Sequence, residues 1–129
     1  MGYGMASNIR KKSPSNVTVY IVEPNTNASK RFVEDFSSYG PVEIAATARE
    51  AASKALTVIS MVPNPADARK VHLDKENGTI SAPADSRRLV LDSSTIDPST
   101  TRAIGAELMA GDACRYIDTP VAVSFPMML

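Results

Sequence analysis

Apolar residues along this chain come in short β-branched runs, separated by longer stretches in which they recur once per helical turn. Val17-Thr18-Val19-Tyr20-Ile21-Val22 and Leu56-Thr57-Val58-Ile59-Ser60-Met61-Val62 are apolar on both alternating sets, which predicts strands covered by helices on both sides. Shorter runs at Val42 to Ala45 and Leu89 to Leu91 predict two more strands, and Arg115-Tyr116-Ile117-Asp118 begins a last one. The stretches between them read as helices. Gly4 to Lys12 places Met5 and Ile9 one turn apart and ends on Arg10, Lys11 and Lys12, which complement the helix dipole. After the turn Pro24-Asn25-Thr26-Asn27, Phe32, Val33 and Phe36 share a helix face, and Tyr39-Gly40-Pro41 stops that helix.

The later helices carry their own start signals. Thr47-Ala48-Arg49-Glu50 is a capping box, opening a short helix to about Ala55. Asn64 before Pro65, and Asp97 before Pro98, each place a side-chain acceptor at the N-cap and a proline where a missing N–H costs nothing. The first of these helices runs to about Leu73, and a polar loop from Asp74 to Asp85 centres on Asn77-Gly78. The second carries Ala103, Ile104, Leu108 and Met109, and Gly111 ends it. Strand and helix thus alternate throughout, and the strands are apolar runs rather than alternators. That pattern predicts an α/β fold, a parallel sheet with helices on both faces. The hydroxyl-rich turn Asp92-Ser93-Ser94-Thr95-Ile96-Asp97 sits at the carboxyl end of a strand, where open α/β sheets bind ligands.

Composition narrows the function. At 129 residues and 43% hydrophobic, the chain has the size of one domain with a core. Its 14 basic and 14 acidic residues balance without a basic stripe, which argues against nucleic acid or an anionic membrane as partner. No apolar run reaches the ~18–20 residues of a membrane span. Cys114 is the only cysteine, so it builds no disulfide or zinc cluster within the chain and reads as a small buried hydrophobe. His72 is the only histidine, and between Arg69, Lys70 and Asp74 it reads as part of a solvated helix face. The start, Met1-Gly2-Tyr3-Gly4-Met5-Ala6, lacks the charged segment and apolar core of a secretory signal.

Gly2 and Gly4 precede the first helix, and Glu23 follows at the end of the next strand, about twenty residues on. That is the spacing of a dinucleotide-binding unit, in which glycines let the backbone approach a pyrophosphate and a carboxylate takes the ribose hydroxyls. Met1-Gly2-Tyr3-Gly4-Met5-Ala6-Ser7-Asn8-Ile9 resembles the second half of the G-x-G-x-M-G-x-x-M-A-x-N-L signature of the β-hydroxyacid dehydrogenases, relatives of 6-phosphogluconate dehydrogenase. Met61-Val62-Pro63 is similar to that family's M-L-P after the fourth strand. Asp92-Ser93-Ser94-Thr95-Ile96-Asp97-Pro98 is similar to its second cofactor motif, and Asp118-Thr119-Pro120-Val121 to the opening of its substrate motif.

The resemblance implies a Rossmann-type sheet and a cofactor site. Met1 and Gly2 would lie by the pyrophosphate, Gly2 as the third fingerprint glycine. Glu23 would bind the adenosine ribose and favour NAD over NADP, Met61, Val62 and Pro63 would line the cofactor channel, and Ser94 and Thr95 would lie near the nicotinamide ribose. Residues 1–121 correspond to a partial NAD(P)-binding domain, and 122–129 form a divergent tail. The family's first strand, at the centre of its sheet, has no counterpart here. Its Ser-Gly-Gly after Val121, and its helical second domain with the catalytic lysine and the dimerisation helix, have none either. The expectation is a chain that folds marginally alone, has no catalytic residue and no activity of its own, and forms homo-oligomers only with that second domain. The parent reaction implied is hydride transfer between NAD and a small 3-hydroxy acid. The alternatives are a non-catalytic nucleotide-binding isoform, or a dehydrogenase of the same family acting on tartronate semialdehyde or succinic semialdehyde. A receiver domain with Asp92 as phosphoacceptor lacks its acidic pair and its lysine. Family relatives include mitochondrial enzymes, but the chain shows no transit peptide.

Overall fold

The computed structural model describes residues 2–94, 96–110 and 113–119. Five helices and five strands alternate: α1 (Gly2–Lys12), β1 (Val19–Ile21), α2 (Thr26–Phe36), β2 (Val42–Ile44), α3 (Ala48–Lys54), β3 (Thr57–Ser60), α4 (Pro65–Leu73), β4 (Leu89–Asp92), α5 (Pro98–Met109) and β5 (Arg115–Asp118). All strand pairing among the described residues is parallel, with a helix between successive strands, as the apolar runs predict. The ladders of β1, β2 and β3 are shorter than the runs that announce them, with Val17, Val22 and Leu56 exposed at the ends, whereas β4 runs one residue further, to Asp92.

The pairs form two sheets, β1–β2 and β3–β4–β5. Among the described residues no ladder joins β1 or β2 to the larger sheet. In the larger sheet Val58, Val90 and Tyr116 are register partners on one face. That face carries the core: Val90, with Ala68 of α4, Ile104 and Leu108 of α5, and Cys114 buried around it, and Val58, Val62, Leu73, Ile80, Ile96 and Tyr116 packed against them. On the opposite face Ile59 and Ile117 are exposed. Cys114 is buried as expected, and burial raises its thiol above the ordinary range, so it stays an unreactive thiol.

The expected caps are present: Thr47, Asn64 and Asp97 accept from the amides of Glu50, Asp67 and Thr100. Asn25, read only as part of a turn, caps α2 by accepting from the Ala28 amide. The capping box of α3 differs in one detail: the Glu50 carboxylate reaches past Thr47 to accept from the Ala46 amide at 2.9 Å. One residue read as solvated from the sequence, His72, is buried instead and is taken up below. Arg10, placed by its position among the basic residues that complement a helix end, is fully buried. Its guanidinium donates to the carbonyls of Pro14, Val17 and Pro41, clamping the end of α1 to the segments that enter β1 and β2. Gly40 makes room for it. Its φ of 151° is a conformation that side chains rarely adopt, and a Cβ there would lie 2.6 Å from the guanidinium carbon.

Gly105 plays a similar part in α5, since a Cβ on it would come 2.9 Å from Tyr116 Cδ1. Because Tyr116 is itself held by a hydrogen bond, it cannot move aside freely. Gly105→Ala is therefore expected to destabilise the chain by about 1–3 kcal/mol, even though alanine is the better helix former. Urea denaturation checks this; a midpoint equal to or above the parent's would show that the ring yields.

Candidate functional site

Parallel pairing brings the carboxyl ends of β3, β4 and β5 to one edge, and that edge holds several of the sequence-predicted site residues. Met61, Val62 and Pro63 follow β3, and Ser93 and Ser94 follow β4. The two segments are joined directly: the Val62 amide donates to Ser94 Oγ at 2.8 Å. Met61 and Val62 are half-buried and Pro63 is exposed, while Ser93 and Ser94 are buried. Ser93 Oγ pairs with Thr119 Oγ1 at 3.2 Å, which ties the turn to the end of β5 as well. The hydroxyls of this turn are thus engaged in fixing loops to one another. Met1, Thr95, Gly111 and Val121 lie outside the described residues.

Glu23 stands two residues beyond β1, on the smaller sheet, and is exposed. Its Oε1 accepts from the Asn25 amide at 3.1 Å, so the carboxylate is held beside the first turn of α2, and its second oxygen has no hydrogen-bond donor among the described residues. No hydrogen bond among the described residues joins Glu23 to the segments after β3 and β4.

Gly2 opens α1, and the first turn of that helix carries no acidic residue. The other helix starts are less suited to an anion. Glu50 and Asp67 lie in the first turns of α3 and α4, Asp97 caps α5, and Glu23 sits beside α2. The Asp97 carboxyl is held down at about 2 by hydrogen bonds from the Ser99 and Thr100 hydroxyls and the Thr100 amide, so it is charged at any ordinary pH. Among the described residues, the start of α1 is thus the helix end whose own first turn and cap carry no carboxylate, and the positive end of a helix dipole favours an anion. A carboxylate at Glu23, this helix start, and apolar side chains at Met61 and Val62 are the kinds of group that a dinucleotide requires.

Beneath the turn lies a buried polar cluster that the sequence reading missed. Asp92, fully buried at the end of β4, accepts from Ser60 Oγ (3.1 Å) and the Ser94 amide (3.0 Å) at Oδ1, and from the Tyr116 hydroxyl (2.9 Å) at Oδ2. Ser60 Oγ also meets His72 Nε2 at 2.9 Å, and His72 Nδ1 meets Thr79 Oγ1 at 3.1 Å. His72 is fully buried, which corrects its reading as a solvated residue; the exposed face of α4 belongs to Arg69 and Lys70. The signal was the spacing. Ala68 and His72 stand one turn apart on the buried face, and Ser60 sits at an inward position of its strand, where it needs a partner. Although a serine, a histidine and an aspartate meet here, Ser60 and His72 are closed off from solvent and Asp92 contacts the serine rather than orienting the ring through Nδ1. The cluster is not a nucleophilic triad.

With the sheet and this edge described, the class is a dinucleotide-binding α/β domain of Rossmann type. The chain belongs to the family of the NAD-binding domain of 6-phosphogluconate dehydrogenase, whose model matches residues 1–124. Among solved structures it is similar to the 3-hydroxyisobutyrate dehydrogenase of Mycobacterium tuberculosis, in a structure with L-serine, at 27% identity and a TM-score of 0.73, covering 95% of this chain and 38% of that one. It is similar to the Salmonella typhimurium 3-hydroxyisobutyrate dehydrogenase at the same 27% and 0.73, over 95% of this chain and 39% of that one. A reductive aminase from Aspergillus terreus in complex with NADPH shares the fold at 21% identity, with a TM-score of 0.67 over 92% of this chain and 36% of that one. The chain thus spans about two fifths of the length of these structures. No curated protein matches it.

The buried cluster makes stability depend on pH. Burial, opposed in part by the charge of Asp92, lowers His72 below its ordinary value. The groups facing it are Asp92 of β4 and Tyr116 of β5, whose ring packs edge-on at 6.1 Å. Tyr116 is raised by burial and then by its bond to Asp92, so it stays protonated. A histidine with a depressed native value binds more protons when unfolded; its contribution is complete above ~6.5 and is lost as pH falls toward the native value. Since His72 is the only histidine, the melting temperature is expected to drop from pH 7.5 to 5.5, and to drop less in His72→Gln. A parent melting curve unchanged over that range would contradict this.

Proposed function

We propose that this chain is the cofactor-binding portion of an NAD-dependent oxidoreductase that oxidises a small 3-hydroxy acid to its semialdehyde, in the manner of a 3-hydroxyisobutyrate dehydrogenase. The observation that carries the reading is the joining of the segments after β3 and β4 through the Val62 amide and Ser94, on the edge where a Rossmann-type sheet receives its ligand. Nicotinamide, when bound, supplies the hydride chemistry. The residues of this chain bind and orient it. Met1 and Gly2 serve the pyrophosphate, Glu23 the adenosine ribose, Met61, Val62 and Pro63 the channel wall, and Ser94 and Thr95 the nicotinamide ribose.

Glu23 supports NAD over NADP by repulsion. Its carboxylate would repel a 2′-phosphate, and Pro24 and Asn25 follow it where a phosphate-binding cation would be needed. No lysine occurs in residues 61–64, 92–97 or 118–119, so these segments hold no amine to act as general acid or base toward a hydroxy acid.

The test is a titration of the 129-residue chain with NADH and NADPH, followed by nicotinamide fluorescence. NADH is expected to bind about tenfold more tightly, and Glu23→Ser to remove most of that difference through weaker NADH binding and stronger NADPH binding. The same chain is expected to show no turnover of 3-hydroxyisobutyrate with NAD. Equal affinities, with no response to the substitution, would remove the role given to Glu23. Turnover would place a catalytic group within these residues.

A further inference from the structure

We propose that His72 is a positioning residue of the dinucleotide site, acting through Ser60 and Asp92 to hold the segments after β3 and β4 in their binding arrangement. The inference rests on the cofactor reading above, but its geometry stands independently.

Proton counting on the cluster gives the ring its state. Asp92 accepts from Ser60, the Ser94 amide and Tyr116. Ser60 has a single hydroxyl proton. When that proton goes to Asp92, Ser60 Oγ can meet His72 Nε2 at 2.9 Å only as an acceptor, so Nε2 carries hydrogen. In the neutral ring Nδ1 is then an acceptor, and Thr79 Oγ1 at 3.1 Å is its donor. The chain of bonds therefore runs one way: Thr79 to His72, His72 to Ser60, Ser60 to Asp92. In the opposite tautomer every direction reverses. Thr79 would turn its proton to the Val71 carbonyl at the longer 3.4 Å, and Ser60 would turn to Nε2, leaving Asp92 with one donor fewer.

Asp92 passes this orientation on. The Oδ1 that takes Ser60 is the oxygen that takes the Ser94 amide, and Ser94 Oγ in turn accepts from Val62. Three bonds thus separate the His72 ring from the Ser94 main chain and a fourth reaches the Val62 amide, and each residue of the path is buried or half-buried. His72 touches no surface from which it could reach a cofactor. Its effect is on where Val62 and Ser94 stand.

Because His72 is the only histidine, its ring nitrogens are assigned without ambiguity in a ¹⁵N spectrum of the 129-residue chain. The expected parent signature at pH 7.5 is a neutral ring with hydrogen on Nε2; hydrogen on Nδ1, or a charged ring, overturns the proposal. Three variants extend the test. His72→Gln keeps an amide donor near the Nε2 position, His72→Phe keeps an apolar ring without a donor, and Ser60→Ala removes the relay with the smallest change in volume. In His72→Phe and Ser60→Ala the Val62 and Ser94 amides should lose protection from hydrogen exchange and NADH binding should weaken by about tenfold, whereas His72→Gln should stay within about threefold of the parent. If His72→Phe does not fold, Ser60→Ala decides. Loss of affinity that follows melting temperature across all three variants, with the glutamine no better than the phenylalanine, would make the role purely structural and overturn the proposal. If the parent binds no NADH, the cofactor reading fails, and the tautomer and amide measurements still decide whether His72 sets the loops.

Discussion

The structure turns on one buried carboxylate. Asp92 ends the central strand of the larger sheet with no exposure to solvent, and a charge in that place is tolerated only when its oxygens are filled by donors. Those donors come from three places at once: Ser60 on β3, Tyr116 on β5 and the amide of Ser94 in the following turn. Hydrogen bonds to a charged group are worth ~1.5–3 kcal/mol each, and an unfilled one is a penalty of similar size, so all three partners are fixed together. Strand register follows. Ser60 lies opposite Asp92 in the parallel ladder, and a slip of one residue would point one of them away from the core. Tyr116, two residues before Asp92's own partner Asp118, reaches back along the same face, and Gly105 leaves the space for its ring.

The same economy governs the base of the smaller sheet. Arg10 is a buried cation that meets no carboxylate among the described residues; it is satisfied by three carbonyls, and its Nε has no partner there. Pro14 O and Pro41 O also take the amides of Val17 and Val19, so the guanidinium adds a second donor to each and ties them to the Val17 carbonyl. A long planar donor at the end of α1 serves all three at once, which a lysine could not do with the same geometry. At the start of α1, Tyr3 meets Phe32 edge-on at 5.3 Å, and its hydroxyl donates to Asp35 at 2.7 Å. The helix that begins at the candidate pyrophosphate position is thereby held at both ends.

Much of this was legible in the sequence, and the parts that were not share a cause. Caps and strand runs are local signals: Asn64 before Pro65 and Asp97 before Pro98 state where a helix begins whatever surrounds it, and the structure follows them. The apolar runs located the described strands but overstated β1, β2 and β3, where residues such as Val17 and Val22 extend beyond the ladder, and understated β4, which continues to Asp92. Burial of polar side chains is a non-local property. Arg10 among basic neighbours and His72 beside Arg69 and Lys70 carry the sequence pattern of solvated residues, and only the carbonyls of Pro14, Val17 and Pro41 or the hydroxyls of Ser60 and Thr79 show otherwise. The hydroxyls of the turn after β4 illustrate the converse. Their density marked a functional edge, but Ser93 and Ser94 spend their oxygens on Thr119 and Val62.

That last point changes what such a turn contributes to binding. A hydroxyl free in solvent must be ordered when a ligand arrives, and the entropy lost is charged against affinity. Here the turn is ordered beforehand from below, by a carboxylate whose own donors come from neighbouring strands. The site residues of this edge therefore act less as individual contacts than as a surface whose shape is set by β3 and β4 lying in register. Glu23 stands apart from this arrangement. It lies on the other sheet, tied only to the start of α2, and its position relative to Val62 and Ser94 is not set by any shared hydrogen bond among the described residues. Under the proposed cofactor role, recognition of the two ends of a dinucleotide would be divided between two supports. The nicotinamide end would rest on the Asp92 cluster, and the adenosine end on the α1–α2 pair that Arg10 and the Tyr3–Phe32 contact secure.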